Sequence, residues 1–252
     1  MKKLLLFLLG LAMVGSLGTW AVASPASASA CTNPRFVTSD PNGMWFQGPY
    51  IVHNNMWNAS SYDIEERLSA CTYRNWQVVV TADNRSGDGA VKTYPNVHRD
   101  YHNWGTGSEP LVTSFRTIRS SWAARTPDVG IYNAAYDIWL NGVPGEHEVM
   151  IWTHNRRQVP AGSRIGPPVK IGRYTWRVWA TEDTSYIAFV PVRKLDHGTI
   201  RIRTMLAWLM QRGRLDRDVT LGQICFGFEV VSTDGRPATF KVDHFSVTSA
   251  RR

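Results

Sequence analysis

The amino-acid sequence predicts an all-β domain, a jelly-roll β-sandwich with one short helix. Eight short runs are rich in β-branched and aromatic residues. Turn-forming pairs that contain glycine separate several of these runs, and only one stretch has apolar residues at helical spacing. Many short strands around a single helix are typical of two packed sheets.

The predicted strands follow one another along most of the chain. They cover residues 48–52, 76–82, 132–140, 147–153, 175–180, 186–190, 221–231 and 239–248. Turns are expected at the Asn-Gly, Pro-Gly and Asp-Gly pairs that begin at positions 42, 141, 144 and 234. The helix is predicted over residues 199–212, where one face carries Ile202, Met205, Leu206 and Leu209.

Residues 1–30 are predicted to be a secretory signal peptide. Lys2 and Lys3 precede an apolar run over residues 4–14, and a small-x-small cleavage pattern ends at Ala30. A lipoprotein site at Cys31 is the less favoured alternative, because Ala28 is not a large aliphatic residue. The apolar run is short for a membrane span. We therefore expect a secreted, extracellular protein with one domain over residues 31–252 and no membrane contact after signal removal.

The chain is basic, with a formal net charge of +8. Its arginines are scattered, and the adjacent ones are Arg156-Arg157 and Arg251-Arg252. A generally basic surface is therefore favoured over a phosphate-binding stripe, and no nucleic-acid partner is expected. Eleven tryptophans indicate surfaces suited to stacking on sugar rings, in addition to tryptophans of the core.

The three cysteines agree with export. Cys31 and Cys71 are a plausible disulfide that would tie the start of the domain to the early sheet. Cys225 lies in an apolar run and is interpreted as a small buried residue, because no histidine or asparagine motif of a thiol hydrolase accompanies it.

Two glutamates lie in strand-like runs of large apolar residues. Glu148 opens the run 148–152, and Glu229 ends the run 223–229. Burying an ionised group on such a surface costs free energy, so a glutamate at this position indicates a function. Two carboxyl groups across a cleft, one ionised and one protonated, are the minimum that cleavage of a glycosidic bond requires. Glu148 and Glu229 are therefore the candidate catalytic pair.

A hairpin around residues 141–144 would place Asp137 directly opposite Glu148. Two carboxyl groups this close would share a proton or a hydrogen bond, which would orient Glu148 and tune its acidity. Alternation along the two strands puts six residues on one face: Asp137, Trp139, Glu146, Glu148, Met150 and Trp152. A solvated outer face is the alternative, but Met150 and Trp152 favour a cleft.

Five motifs occur in the order seen in glycoside hydrolase family 12. They are Asn54-Asn55-Met56-Trp57-Asn58, Tyr94-Pro95-Asn96, Tyr132-Asn133-Ala134-Ala135-Tyr136-Asp137-Ile138-Trp139, Glu148-Val149-Met150-Ile151-Trp152 and Phe226-Gly227-Phe228-Glu229. Nearly all of residues 31–252 resembles the secreted endo-β-1,4-glucanases of that family from actinobacteria. The resemblance implies two curved antiparallel sheets, an open cleft for a β-glucan chain on the concave sheet, and a retaining double displacement.

The resemblance also implies roles for individual residues. Glu148 matches the nucleophile, Glu229 the acid/base, and Asp137 the aspartate that contacts the nucleophile. The residues that match substrate-binding positions are Asn55 and Trp57 on the non-reducing side, Met150 beneath the catalytic sugar, and Trp152 on the same strand.

Two departures from the family pattern concern the surroundings of the cleft. Val230 follows Glu229 where the family usually has proline, which predicts a differently set loop and an altered activity. The segment 97–107 lacks the second cysteine pair of actinobacterial relatives, which predicts a looser or rebuilt loop.

No cofactor and no metal are expected for this chemistry. His98 and His102 are four residues apart, but they fall in a predicted loop without a third ligand, so surface histidines are favoured over a zinc site. We expect a monomer that acts on soluble or amorphous β-glucan. The alternatives are a xyloglucan-specific endoglucanase and a non-catalytic glucan-binding jelly roll, and the sequence does not choose among cellulose, mixed-linkage glucan and xyloglucan.

Overall fold

A computed structural model describes residues 31–102 and 108–252. The predicted signal peptide over residues 1–30, and residues 103–107 of the predicted rebuilt loop, lie outside the described residues. The strands are β1 Phe36–Thr38, β2 Met44–Gln47, β3 Tyr50–His53, β4 Ile64–Thr72, β5 Asn75–Ala82, β6 Asn96–Asp100, β7 Phe115–Arg125, β8 Ile131–Gly142, β9 Gly145–Arg156, β10 Ser163–Arg164, β11 Val169–Ile171, β12 Tyr174–Ala180, β13 Tyr186–Pro191, β14 His197–Ile200, β15 Leu221–Ser232 and β16 Ala238–Arg251.

These strands form two sheets, which confirms the predicted jelly-roll β-sandwich. The six-stranded sheet has the order β1-β4-β5-β16-β7-β14. The ten-stranded sheet has the order β10-β12-β13-β9-β8-β15-β6-β3-β2, with β11 beside β12. One pairing differs from the expected antiparallel pattern, because β13 runs parallel to β9. After β9 the chain forms β10, β11 and β12 at the sheet edge. It then returns to pair with β9, and β13 therefore runs in the same direction as β9.

The hydrophobic core lies between the two sheets and is rich in aromatic rings. Alternate residues of each strand point inward, as in β5, where every second side chain is buried. Phe226 contacts rings from both sheets, with Tyr136 at 4.8 Å and Phe245 at 6.2 Å between ring centroids. Such close packing of large rings gives the two sheets a fixed relative position.

The one α-helix of the described residues, α1 Ile202–Met210, packs against β7. Its buried residues are Ile202, Met205, Leu206 and Leu209, which are the four on the predicted apolar face. The helix is shorter than predicted because residues 199 and 200 belong to β14. In the part of the chain that the structure describes, no helix is long and apolar enough to cross a membrane.

A disulfide joins Cys31 to Cys71 with 5.6 Å between their Cα atoms, as the sequence predicts. Cys225 is free and buried. Replacing both bonded cysteines by serine should lower the free energy of unfolding by about 2–4 kcal/mol, because the cross-link restricts the unfolded chain. Thermal and urea unfolding of Cys31→Ser/Cys71→Ser beside the oxidised wild type measures this loss, and identical unfolding curves would contradict it.

Candidate active site

A cleft of about 1090 Å³ lies on the outward face of the ten-stranded sheet. Strands β3, β6, β15, β8, β9 and β13 supply its base, and the segments 55–57, 89–91, 143–144 and 157–161 supply its rims. Even-numbered residues of β8, such as Tyr136 and Ile138, point into the core between the two sheets. Odd-numbered residues therefore point into the cleft.

The β8–β9 hairpin places Glu148 in this cleft, but its predicted register is wrong by two residues. Glu148 lies opposite Trp139, and Asp137 lies opposite Met150. The strands continue to Gly142 and Gly145, so the connecting turn has two residues rather than the four assumed from the sequence. The shared face is correct, because a shift of two residues leaves alternation unchanged.

Glu229 enters the same cleft from β15, which lies on the other side of β8. It lies opposite Asn133 of β8, and both the Asn133 Nδ2 and the Gln158 Nε2 donate hydrogen bonds to its Oε2, the latter at 3.0 Å. Gly227 allows this strand to lie close to its neighbour, since a Cβ there would be 2.1 Å from the Pro95 carbonyl oxygen. Close packing against Pro95 therefore explains why a glycine lies two residues before Glu229.

Three carboxyl groups share the cleft, and all three have raised pKa values. Burial raises the pKa of Glu148 to about 8, and the charge of Glu229 adds to this shift. Burial also raises the pKa of Glu229 to about 7, although the hydrogen bonds from Asn133 and Gln158 oppose the change. The pKa of Asp137 is well above its ordinary value because of burial and the charges of both glutamates. Carboxyl groups that stay protonated near neutral pH can serve as acids.

An apolar floor separates these carboxyl groups from the edge strands. It consists of Ala135, Met150, Trp152, Ala188 and Val190. The Met150 sulfur accepts hydrogen bonds from the Tyr186 hydroxyl at 3.3 Å and from the Trp152 indole at 3.4 Å. Met150 and Trp152 are each only 1% exposed, so they support the floor rather than offer a broad open ring face.

Trp57 and Asn55 lie on one rim of the cleft. The Trp57 side chain is 59% exposed, which suits stacking on a sugar ring. Asn55 has a positive φ of 43°, and its Nδ2 donates to the Tyr94 carbonyl oxygen at 3.2 Å. Asn55 and Trp57 therefore line the same cleft as the carboxyl groups, as does Trp152, whereas Met150 lies beneath its surface.

The interpretation of His98 as a surface histidine in a loop is wrong, whereas His102 lies outside the strands, as predicted. His98 is 3% exposed, lies in β6, and its Nδ1 is 2.9 Å from the Asn96 Oδ1. His102 is half-buried, and its Nδ1 is 2.6 Å from the Glu109 Oε1. The polar strand β6 was not recognised in the sequence. Within residues 31–102 and 108–252, no group of three His, Cys, Asp or Glu side chains could hold a metal ion.

Two residues that touch the candidate acid/base, Asn133 and Gln158, were not among the predicted site residues. Asn133 lies four residues before Asp137 on the same strand, so alternation alone could have placed it in the cleft. Gln158 lies beyond the end of β9, in a segment whose approach to Glu229 has no sequence signature.

The sequence matches one protein family and is similar to individual endoglucanases. Residues 48–249 match the model of the family described as Glycosyl hydrolase family 12. Endoglucanase S of Pectobacterium parmentieri is 23% identical over 79% of this chain and 83% of its own length. Xyloglucan-specific endo-beta-1,4-glucanase A of Emericella nidulans is 25% identical over 90% of this chain and 97% of its own length.

Two solved structures of enzymes have the same fold. Endoglucanase cel12A from Rhodothermus marinus is 24% identical, with a TM-score of 0.73 over 86% of this chain and 100% of its own. A family 12 xyloglucanase from Bacillus licheniformis is 22% identical, with a TM-score of 0.73 over 85% of this chain and 100% of its own.

Proposed function

Since this chain belongs to glycosyl hydrolase family 12, we propose that it hydrolyses internal β-1,4-glucosidic bonds of a glucan with retention of anomeric configuration. The observation that carries this proposal is the pair Glu148 and Glu229 in one cleft, with pKa values raised by burial. Exposed Trp57 on the rim supports a sugar polymer as the substrate.

In the first step, the Glu148 carboxylate attacks the anomeric carbon and forms a glycosyl ester. The bond from that carbon to the leaving oxygen breaks, and the oxygen takes the proton of Glu229. In the second step, the Glu229 carboxylate takes a proton from water, the water oxygen attacks the anomeric carbon, and Glu148 leaves as a carboxylate. Asp137 is a positioning residue, because its protonated carboxyl group can donate a hydrogen bond toward the charge of Glu148.

The first step requires Glu148 to be ionised and Glu229 to be protonated. In the free protein, the amide donors of Asn133 and Gln158 stabilise the charged form of Glu229 and so oppose its protonation. The Asn133 Oδ1 and Gln158 Oε1 are buried and have no hydrogen-bond partner. Rotation of either amide would present an acceptor to the protonated Glu229, while a sugar hydroxyl would donate to the ionised Glu148.

The pH profile of kcat/KM should be bell-shaped with its maximum between about 7 and about 8. Below this window both glutamates are protonated and the nucleophile is lost, and above it both are ionised and the acid is lost. Initial rates on a soluble glucan across pH 4–10 measure the profile. A pH maximum in the range of ordinary carboxyl pKa values would contradict the raised pKa values of Glu148 and Glu229.

One assay tests which polymer is cleaved and which anomer of the product forms first. We expect barley β-glucan, carboxymethylcellulose or xyloglucan to be shortened internally, with the β anomer formed first, as followed by product size and NMR. Xyloglucan is the second candidate substrate, because the similar proteins from Emericella nidulans and Bacillus licheniformis are a xyloglucan-specific endoglucanase and a xyloglucanase. Release of the α anomer would refute the retaining mechanism, and binding of all three polymers without cleavage would favour a non-catalytic glucan-binding protein.

We further propose that the protein acts outside the cell as a monomer, with residues 1–30 removed as a signal peptide. This proposal rests on the amino-terminal pattern and on the disulfide between Cys31 and Cys71, which is typical of oxidising compartments. Mass spectrometry of the exported protein should show an amino terminus at Cys31.

A further inference from the structure

A second concave surface lies beside the start of α1, where β11 and β12 of the ten-stranded sheet meet β7 and β14 of the six-stranded sheet. It consists of two adjoining depressions of about 490 and 380 Å³, and both are lined by Arg119 and Arg201. We call this surface the arginine groove. Its arginines are Arg116, Arg119, Arg173, Arg201, Arg203 and Arg252.

The arginine groove is separate from the cleft, and no described residue lines both. In β7, Ile118 and Ser120 are buried between the sheets, so Arg119 points outward from the six-stranded sheet. The cleft is on the outward face of the other sheet. A ligand in the arginine groove would therefore leave the cleft free for the glucan.

The arginine groove has no acidic side chain in its described lining to offset its positive charge. Among the described residues, no aspartate or glutamate lines either depression. The arginines that form ion pairs are elsewhere, namely Arg85, Arg125 and Arg156. Burial and the nearby positive charges of Arg252 and Arg217 lower the pKa of Arg203. Like charges gathered without counter-charges produce a strong positive potential, which attracts anions.

The first turn of α1 adds to this potential. Arg201 is the residue before the helix and Arg203 lies in its first turn, where there is no acidic residue and no side-chain cap. Cations at this end oppose the helix dipole, which is positive there. A bound anion would offset that repulsion, so the helix start supports the same ligand charge as the arginines.

The shape and the side chains indicate which polyanion fits. Guanidinium groups bind carboxylates and phosphates in bidentate geometry, and six of them spread over two depressions suit a polymer with repeated charges. The neighbouring rings of Tyr174 and Trp176 are half-buried and buried, whereas binding of single-stranded nucleic acid uses exposed rings for base stacking. The most exposed aromatic residues of the described chain, Phe46 and Trp57, lie outside the groove.

We propose that the arginine groove binds a linear polysaccharide bearing carboxylate groups, a polyuronate, while the cleft holds a neutral glucan. The choice of a polysaccharide rests on the proposed function, because a secreted glucan hydrolase acts among other polysaccharides. Holding a charged neighbouring polymer would keep the enzyme close to its substrate and raise the local substrate concentration.

The test compares two triple variants of the full chain that remove the same charge. The groove variant is Arg119→Gln/Arg201→Gln/Arg252→Gln, and the control variant is Arg67→Gln/Arg164→Gln/Arg236→Gln, which changes exposed arginines outside the groove. Binding to immobilised polygalacturonate is measured at low and high NaCl, with polyphosphate as the second probe. Unfolding temperature and activity on soluble β-glucan show whether each variant is folded.

We expect the wild type to bind polygalacturonate at low salt, and the groove variant to bind it about tenfold more weakly or worse. The control variant should bind nearly as well as the wild type, and all three proteins should cut soluble β-glucan equally. No binding by the wild type, or an equal loss in both variants, would overturn the proposal. Tighter binding to polyphosphate than to polygalacturonate would overturn the carboxylate assignment. Polygalacturonate binding by a protein that cuts no glucan would instead refute the proposed function.

Discussion

Replacing Glu148 by alanine is expected to lower kcat on a β-1,4-glucan by about 10⁴-fold or more, because no other group can form the covalent intermediate. The Glu148 side chain lies opposite Trp139, and its neighbours at the anomeric centre, Asp137 and Glu229, have other roles in the proposed mechanism. Purified variant and wild type are compared by reducing-sugar release. Glu146→Ala is the matched control, since Glu146 lies two residues earlier on β9, is exposed, and contacts Asn141 at 2.8 Å.

The Glu148→Ala variant should also use an activated α-glycosyl fluoride to synthesise β-linked products. The fluoride mimics the glycosyl ester, and the intact Glu229 can activate an acceptor hydroxyl. The synthesised linkage cannot be hydrolysed by the variant, so products accumulate. Full hydrolytic activity of Glu148→Ala, or a comparable loss in Glu146→Ala, would contradict the assignment of the nucleophile.

Replacing Glu229 by glutamine is the second large effect, and kcat on polymers should fall by about 10²–10⁴-fold. Glutamine retains the shape and can still contact Asn133 and Gln158, but it cannot donate a proton. The loss in the first step should be much smaller on an aryl cellobioside with an acidic leaving group, which departs without protonation. The measurement is a comparison of polymer and aryl glycoside rates in the same variant.

An equal loss of Glu229→Gln activity on both kinds of substrate in single-turnover experiments would contradict the role of general acid. The pH profile gives an independent check. Because glutamine does not ionise, the alkaline limb of the wild-type profile, where Glu229 would have lost its proton, should be absent in the variant.

The sequence predicted the face of each catalytic strand better than the register between strands. Alternation fixes which side chains share a face, so Asp137, Glu148 and Met150 were placed together correctly. Register depends on the turn, and the Asn-Gly and Pro-Gly pairs on either side of Val143 each predict a turn, so the sequence does not indicate which two residues connect the strands.

Polar strands were harder to recognise than apolar ones. Strands β4 and β7 were missed because their outward positions carry charged or small polar residues that hide the alternation of buried ones. The arginine groove was hidden for a different reason. Its residues come from β7, the segment before β12, the start of α1 and the carboxyl terminus, so no charge run marks it in the sequence.

The position of β15 links activity to completion of the fold. This strand is the second to last in the chain, yet it lies between β8 and β6 and carries Glu229. Before β15 is inserted, the cleft has one of its two glutamates and the core lacks Phe226 and Phe228. Such long-range pairing is intrinsically slow, because a large loop has to close first. Glucan hydrolysis is therefore a late and stringent readout of refolding, and a chain that ends before β15 should gain neither the stable sandwich nor the enzymatic activity.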